Sequence, residues 1–185
     1  MRTPIFLFAC FTAFGAHATI HRVNNTGIAA DFTTLQSAHD AATAGDTLHL
    51  EPSGSSYGAC TFTKPLVVIG PGYFLNLNAG LQATASSALT GALVFEAGSE
   101  GCVVSGLEVQ ATSTVKASFV RIERCRFSGS SSLNIAFNFS GLNITGVVVN
   151  GCYVANNLTV GGNGSIVNDV TISNSHMRTL NLTAT

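Results

Sequence analysis

The stretch that decides the fold is VRIERCRF, residues 120–127. Apolar and charged residues alternate on both sides of its centre, so a strand, a two-residue turn and a second strand would place one set of side chains inside and the other outside. The residues expected to point inward are Val120, Ile122, Cys125 and Phe127. The residues expected to point outward are Arg121, Glu123, Arg124 and Arg126.

The same pattern recurs in four other segments. Residues 67–74, 102–109, 147–154 and 170–177 read VVIGPGYF, CVVSGLEV, VVVNGCYV and VTISNSHM. The third position of the five segments falls at Ile69, Val104, Ile122, Val149 and Ile172, with steps of 35, 18, 27 and 23 residues. Such spacings indicate a solenoid in which each repeat forms one coil.

A third strand is expected in the later coils. Alternating apolar residues occur at Leu133-Ile135-Phe137, then at Leu158-Val160 and Leu180-Leu182. Three short strands per coil find backbone partners only in the coils above and below, at about 4.8 Å. The sequence therefore predicts an all-β fold, a parallel β-helix with three sheets.

One helix precedes the coils. Apolar residues recur at three- and four-residue spacing, Thr33-x-x-Gln36 has the form of a capping box, and Gly45 would end the helix. We expect an amphipathic helix over 33–44 that covers the first coil and closes the amino-terminal end of the core. The apolar positions of this helix are Phe32, Leu35, Ala38 and Ala42.

The amino-terminal residues have the form of an export signal. Arg2 precedes an apolar run over 5–14, and Ala16-His17-Ala18 places small residues where signal peptidase cleaves. We expect a signal peptide over 1–18, a mature domain over 19–185, and a secreted or cell-surface protein. The run is half of the roughly twenty residues that a membrane-spanning helix needs, so no span is expected. A lipoprotein anchored at Cys10 is the less favoured alternative.

Composition and cysteine content exclude other functions. Charged residues make up 9% of the chain and the net charge is −1, so no attraction to nucleic acid is expected. Four cysteines remain after the leader, and they lie in apolar runs without the spacing of metal ligands. We expect no metal and no cofactor, and we favour buried thiols over two disulfides. These cysteines are Cys60, Cys102, Cys125 and Cys152.

The opening of the mature chain resembles that of the pectin-lyase-like β-helix proteins. The resemblance is carried by FTTLQSA at 32–38, Ala41-Ala42, GDTLHL at 45–50 and Tyr57-Gly58. In that superfamily such an opening is a capping helix that leads into the first coil, so the resemblance implies a right-handed solenoid. The superfamily includes polysaccharide lyases, glycoside hydrolases, phage tailspikes and non-catalytic surface proteins, so the resemblance implies no single activity.

The groove that such enzymes use lacks catalytic residues here. Lyases of the superfamily use acidic residues with calcium and a basic residue, and hydrolysis of a glycosidic bond needs two carboxyl groups. We expect no catalytic site at the equivalent outward positions of this chain, which carry neither a carboxylate nor Lys or Arg. These positions are Asn134, Ala136, Asn138, Thr159, Asn181 and Thr183.

A second outward column is chemically richer. It belongs to the second half of the repeat, and its residues are the candidate carbohydrate contacts because a sugar could stack on the tyrosines. From the residues alone we favour the simpler interpretation, that an exposed strand tolerates such residues and that outward charges prevent sheets from associating side by side. The column consists of Tyr73, Glu108, Arg126, Tyr153 and His176. Elsewhere we interpret the charged cluster at 121–126 as a solvated ion-pair network, and His39 and His49 as structural.

The carboxyl end of the repeat array bears on function. Leu180 and Leu182 are followed by three residues, so we expect an uncovered last coil that docks on a partner, associates with a second copy or continues into further coils. The leading interpretation is a secreted, non-catalytic β-helix scaffold or carbohydrate-contacting surface module, with polysaccharide as its partner. The alternative is the amino-terminal part of a polysaccharide lyase or glycoside hydrolase whose catalytic coils lie beyond residue 185.

Overall fold

Short parallel strands, stacked rung upon rung, build this fold. The computed structural model describes residues 18–77, 80, 84–137 and 139–183. One α-helix, α1 (Leu35–Ala41), and a 3₁₀ turn (Leu75–Leu77) accompany the strands in that part of the chain. The strands are β1 (Ile20–Val23), β2 (Thr47–Leu50), β3 (Cys60–Phe62), β4 (Val67–Ile69), β5 (Ala88–Thr90), β6 (Leu93–Phe95), β7 (Val103–Ser105), β8 (Leu107–Val109), β9 (Ser113–Val115), β10 (Arg121–Glu123), β11 (Arg126–Phe127), β12 (Leu133–Ile135), β13 (Asn143–Thr145), β14 (Val148–Asn150), β15 (Tyr153–Val160), β16 (Ile166–Asn168), β17 (Thr171–Ser173) and β18 (His176–Leu182).

The first face of the solenoid is a seven-stranded parallel sheet in the order β1-β2-β4-β7-β10-β14-β17. Val104, Ile122, Val149 and Ile172 occupy one register position on four consecutive strands, as the repeat predicted. Ile69 was wrongly placed in that column, because Val68 pairs with Val104 and Ile69 is 40% exposed beside Ser105. Three consecutive apolar residues in β4 provide no alternation from which the inward one can be read.

The second and third faces are joined at a corner into one parallel sheet. The first halves of β15 and β18 continue the second face, β5-β8-β11, and their second halves continue the third face, β3-β6-β9-β12. A short pair, β13 and β16, adds a fourth side to two late rungs. The structure thus confirms the all-β fold and its three-sheet parallel solenoid.

The core is a continuous stack of inward side chains. Each of the four residues that the deciding stretch predicted inward is fully buried, whereas Arg121 and Arg124 are exposed. Burial of each such side chain stabilises the fold by roughly 1.5–3 kcal/mol. The prediction for Phe137 was wrong: Ala136 adopts a positive φ of 54° and turns inward, so Ala136 is buried and Phe137 is half-exposed.

The four cysteines that the sequence predicted to be buried belong to this core. All four are buried free thiols, so the structure favours thiols over disulfides. Burial raises the pKa of the Cys102 and Cys152 thiols to about 11, and it raises the pKa of Cys60 and Cys125 further.

The helix is shorter than the sequence predicted. It begins after Thr34, whose side chain accepts a hydrogen bond from the Ser37 amide, so the expected pairing of Thr33 with Gln36 was wrong. Its last residue is Ala41, and the backbone is already extended at Ala42, before Gly45. Because Gln36 takes no part in capping the helix, its side chain can form other hydrogen bonds.

Helix α1 closes the beginning of the third face. Gln36 Oε1 accepts from the Thr61 amide at 2.8 Å, and His39 Nε2 accepts from the Thr63 amide at 3.1 Å. These amides lie in and just after β3, the edge strand of this sheet, which would otherwise leave donors unpaired. Lys64 Nζ donates to the carbonyls of His39 and Ala42 at the end of the helix. The predicted cap is thereby confirmed, whereas His49 lies exposed on β2.

The last described rung is less covered than the others. Leu180 and Leu182 pair in register with Leu158 and Val160, yet they are 44% and 72% exposed. The two residues that follow Thr183 lie outside the described residues. No helix in the described ranges has both the length and the apolar character that crossing a bilayer requires.

Candidate functional site

Four of the five candidate contact residues lie in one column on the second face. Glu108 pairs with Arg126, Arg126 with Tyr153, and Tyr153 with His176 on the consecutive strands β8, β11, β15 and β18. Their side chains point outward because the neighbouring position in each strand is an inward one. Parallel pairing spaces them at about 4.8 Å.

Tyr73 reaches this surface by another route. The sequence placed it in the same outward column as Glu108, one rung earlier, but Leu89 of β5 occupies that position. Tyr73 lies in the segment after β4, and its hydroxyl donates to the Gly151 carbonyl at 2.8 Å. That bond ties the segment across the turns of the later rungs. The register prediction for Tyr73 was wrong, because an insertion separates β4 from β5.

Phe74 completes the surface, although the repeat pattern placed it inside. It adopts a positive φ of 54° and lies half-exposed, with the Arg126 guanidinium 4.6 Å above its ring. Its ring meets those of Tyr73 and Tyr153 edge to face, with centroids 5.1 and 5.3 Å apart. A turn rich in glycine and proline precedes it, and that was the one sequence signal against an inward strand at this point.

The column continues into a stack of two rings. Tyr153 and His176 lie parallel within 5°, with centroids 4.9 Å apart, and His176 is exposed. We call the residues Tyr73, Phe74, Arg126, Tyr153 and His176 the aromatic strip. Aromatic residues with polar tips and a guanidinium offer both apolar area and hydrogen bonds to one ligand.

The electrostatics of the strip are nearly balanced. Arg126 Nη1 lies 3.2 Å from Glu108 Oε1, and Ser87 Oγ donates to the other carboxylate oxygen at 3.0 Å. Arg126 Nε is buried and has no hydrogen-bond partner. A buried donor without a partner is unusual in a folded protein. Burial also raises the pKa of the Tyr73 hydroxyl, so that group stays a donor at neutral pH.

A cavity of about 340 Å³ adjoins the strip. Tyr73 forms one wall and Arg124 another, with the glycine-rich turns between them. Arg124 Nη2 donates to Ser105 Oγ at 3.0 Å, and its φ of 47° is of the kind that glycine adopts at Gly106 and Gly151 in the neighbouring turns. A left-handed backbone is strained for an arginine. Arg124 therefore differs from the glycines that occupy the neighbouring turns. The cavity is lined by Gly70, Pro71, Gly72, Tyr73, Gly106 and Arg124.

The predicted ion-pair network is divided between two partners. Arg121 pairs with Glu123 at 2.5 Å, whereas Arg126 pairs with Glu108 of the preceding rung. Arg124 is in neither pair. Arg124 lines the cavity, so its guanidinium brings a positive charge to that site.

A second concavity runs along the third face. Asn134, Thr159 and Asn181 lie in register on β12, β15 and β18, as the sequence predicted. Ala136 is buried and does not line it, and Asn138 lies outside the described residues. The lining residues are hydroxyl and amide side chains beside one ring: Thr112, Ser132, Asn134, Phe137, Asn157, Thr159, Asn181 and Thr183. Hydroxyl and amide side chains such as these do not exchange protons as an acid or a base near neutral pH.

We also looked for a metal site and for similar proteins. The described residues hold no cluster of three or more His, Cys, Asp or Glu side chains suited to a metal ion. No protein-family model matches the chain, and no match was found among curated proteins or solved structures.

Proposed function

We propose that the chain is an exported, non-catalytic β-helix scaffold whose second face contacts carbohydrate. The observation that carries the proposal is the aromatic strip: two tyrosines, a phenylalanine, a histidine and an arginine converge on one surface of the solenoid. The C–H faces of sugar rings pack on aromatic rings, while guanidinium and phenol groups hydrogen-bond sugar hydroxyls. Secretion or cell-surface display is supported by the export signal that ends at Ala18.

Two observations support the proposal that the protein is non-catalytic. The groove on the third face is lined by hydroxyls and amides, whereas glycoside hydrolysis needs two carboxyl groups held about 5–10 Å apart. Beside the aromatic strip, Glu108 accepts hydrogen bonds from Arg126 and Ser87. A carboxylate held in this way is a structural partner of the arginine.

We also infer membership of the pectin-lyase-like superfamily, with the right-handed coil that this implies. The support is architectural: a short helix covers the start of a three-faced parallel solenoid, as in the opening that the sequence resembles. Fold likeness of this kind does not determine the ligand, which must be found by experiment.

The test is a glycan array probed with the exported protein and two variants. We expect the protein to bind at least one polysaccharide, and Tyr153→Ala to weaken that binding by about tenfold or more, because it removes the centre of the aromatic strip. Ile28→Ala is the matched control, since Ile28 is 60% exposed in the loop between β1 and helix α1, away from the strip. No binding to any glycan, equal loss in both variants, or turnover of the bound polysaccharide would overturn the proposal.

A further inference from the structure

The backbone nitrogen of Thr19 lies against a buried carboxylate. It donates to Asp46 Oδ1 at 2.8 Å, and Asp46 is only 3% exposed. Asp46 Oδ2 accepts from the Thr43 amide at 2.8 Å and the Thr43 hydroxyl at 2.9 Å, and it lies 3.1 Å from His21 Nε2. These hydrogen bonds, from Thr19 and Thr43 first, hold the pKa of Asp46 well below its usual range, so the carboxylate is charged at neutral pH.

A buried negative charge is costly unless a positive charge compensates it. In the uncut chain the Thr19 nitrogen is a neutral amide, so Asp46 has hydrogen bonds but no fixed positive partner. Independently, the sequence predicts an export signal with a cleavage site after Ala18, which would make Thr19 the first residue of the mature chain. Two unrelated observations, the small residues of the signal and the buried carboxylate, thus meet at the same nitrogen.

We propose that cleavage between Ala18 and Thr19 creates an α-ammonium group that forms an ion pair with the buried carboxylate of Asp46 and thereby stabilises the first rung of the solenoid. The proposal rests on the export that the proposed function includes, and a signal-peptidase-type protease supplies the cut. The hydroxyl of a water molecule goes to the Ala18 carbonyl carbon and its hydrogen to the Thr19 nitrogen. The proton released by the new carboxylic acid converts the amine to an ammonium. Ala18 and Thr19 are both exposed, so the bond is accessible to the protease.

The receiving site is already built around the nitrogen. The Thr19 carbonyl accepts from the Thr47 amide at 2.8 Å, which fixes Thr19 beside the start of β2. An ammonium at this place has three donors instead of one, and a charge-assisted hydrogen bond is about twice as strong as a neutral one. Maturation would therefore tighten the contact between β1 and β2.

The first arm of the test uses the full chain with its own leader. The protein is produced in an export-competent cell, and the exported product is examined by intact mass and amino-terminal sequencing. We expect a product that begins with Thr19. A product that begins at any other residue would overturn the proposal.

The second arm measures the ion pair itself. Chains that begin at Thr19 or retain Ala18 are compared, each with Asp46 or with Asp46→Asn; every described strand and the helix lie within 20–182 and so are kept. At pH 6 we expect the chain that begins at Thr19 to have a melting temperature about 2–4 °C higher than the chain that retains Ala18. We expect that difference to vanish with Asp46→Asn. Equal melting temperatures with Asp46 present, or a difference that survives Asp46→Asn, would refute the ion pair.

The pH dependence of that difference has a definite sign. The ion pair raises the pKa of the α-amino group, so its stabilisation is complete below the unfolded value of about 7.7–8.0 and is lost as the pH rises through the folded value. His21 is the titratable side chain that faces Asp46, and it is the same in both chains. If Asp46→Asn does not fold, Nα-acetylation of the chain that begins at Thr19 replaces it, and we expect the advantage to be lost. Each of these outcomes is independent of the glycan array, so the two proposals can fail separately.

Discussion

The inward cysteines fill the core and also form hydrogen bonds to the backbone. Cys125 and Cys152 occupy adjacent rungs, and their thiols donate to backbone carbonyls, Cys125 to Glu123 at 3.3 Å and Cys152 to Ile122 at 3.4 Å. A small, weakly polar side chain suits a position close to a turn, because it fills little space and its thiol can donate to a nearby carbonyl. Burial favours the protonated thiol over the thiolate.

We therefore predict that the native protein resists alkylation. Because the thiolate is the reactive form and burial raises the pKa of Cys152 to about 11, iodoacetamide at pH 7.5 should leave Cys60, Cys102, Cys125 and Cys152 unmodified. The same treatment in denaturant should modify all four, which peptide mass spectrometry measures. Rapid modification of the native protein, or a denatured protein that carries disulfides, would contradict the buried free thiols.

Individual side chains were predictable where polar and apolar residues alternate and not elsewhere. Arg121 and Ile122 alternate strictly, and both were placed on the correct side. Val68 and Ile69 are both apolar, so either could have pointed inward, and the choice depends on pairing with the next rung. Phe74 could not be placed, because a left-handed backbone at that position reverses the direction that alternation implies.

At the scale of elements, the turns fix how closely successive rungs approach. The Gly70 amide donates to the Ser105 carbonyl at 2.8 Å, and the Gly72 amide donates to the Gly106 carbonyl at 2.8 Å. A Cβ at Gly70 would lie 2.5 Å from the Gly106 oxygen, which is backbone and cannot move aside. This contact forms the floor of the cavity beside the aromatic strip.

Gly70→Ala should therefore destabilise the fold by about 1–3 kcal/mol through overpacking. Gly54→Ala is the matched control, because a Cβ at Gly54 has no neighbour within 4 Å and its φ is not positive. Urea unfolding of the two variants measures the difference in free energy of unfolding. Equal stability of the two variants would show that the turns do not pack as described.

The existence of the helix was predictable and its bounds were not. Leu35, Ala38 and Ala42 mark the buried side in sequence and in structure alike. The capping box was misassigned because Thr33 and Thr34 are equivalent in sequence, whereas tertiary contacts draw Gln36 away to the Thr61 amide. A long-range hydrogen bond of this kind leaves no local signal.

At the scale of the whole molecule, seven strands on the first face set the length of the solenoid. Each rung depends on its neighbours for hydrogen bonds and for burial, so stability is shared along the stack. The same stacking aligns outward residues into columns, and this alignment brings Glu108, Arg126, Tyr153 and His176 together from four distant parts of the chain. The second-face column and the groove on the third face both depend on that alignment.

Distances along one outward column test the stacking of the rungs most directly. Thr61, Val94, Thr114, Asn134, Thr159 and Asn181 lie in register on successive strands of the third face. Nitroxide labels on cysteines introduced by Asn181→Cys together with Thr61→Cys, Val94→Cys or Thr114→Cys are compared by pulsed dipolar spectroscopy. Stacking at about 4.8 Å per rung predicts backbone separations of about 24, 19 and 14 Å, decreasing by one rung at each step. Separations that do not decrease in that order would contradict the parallel solenoid.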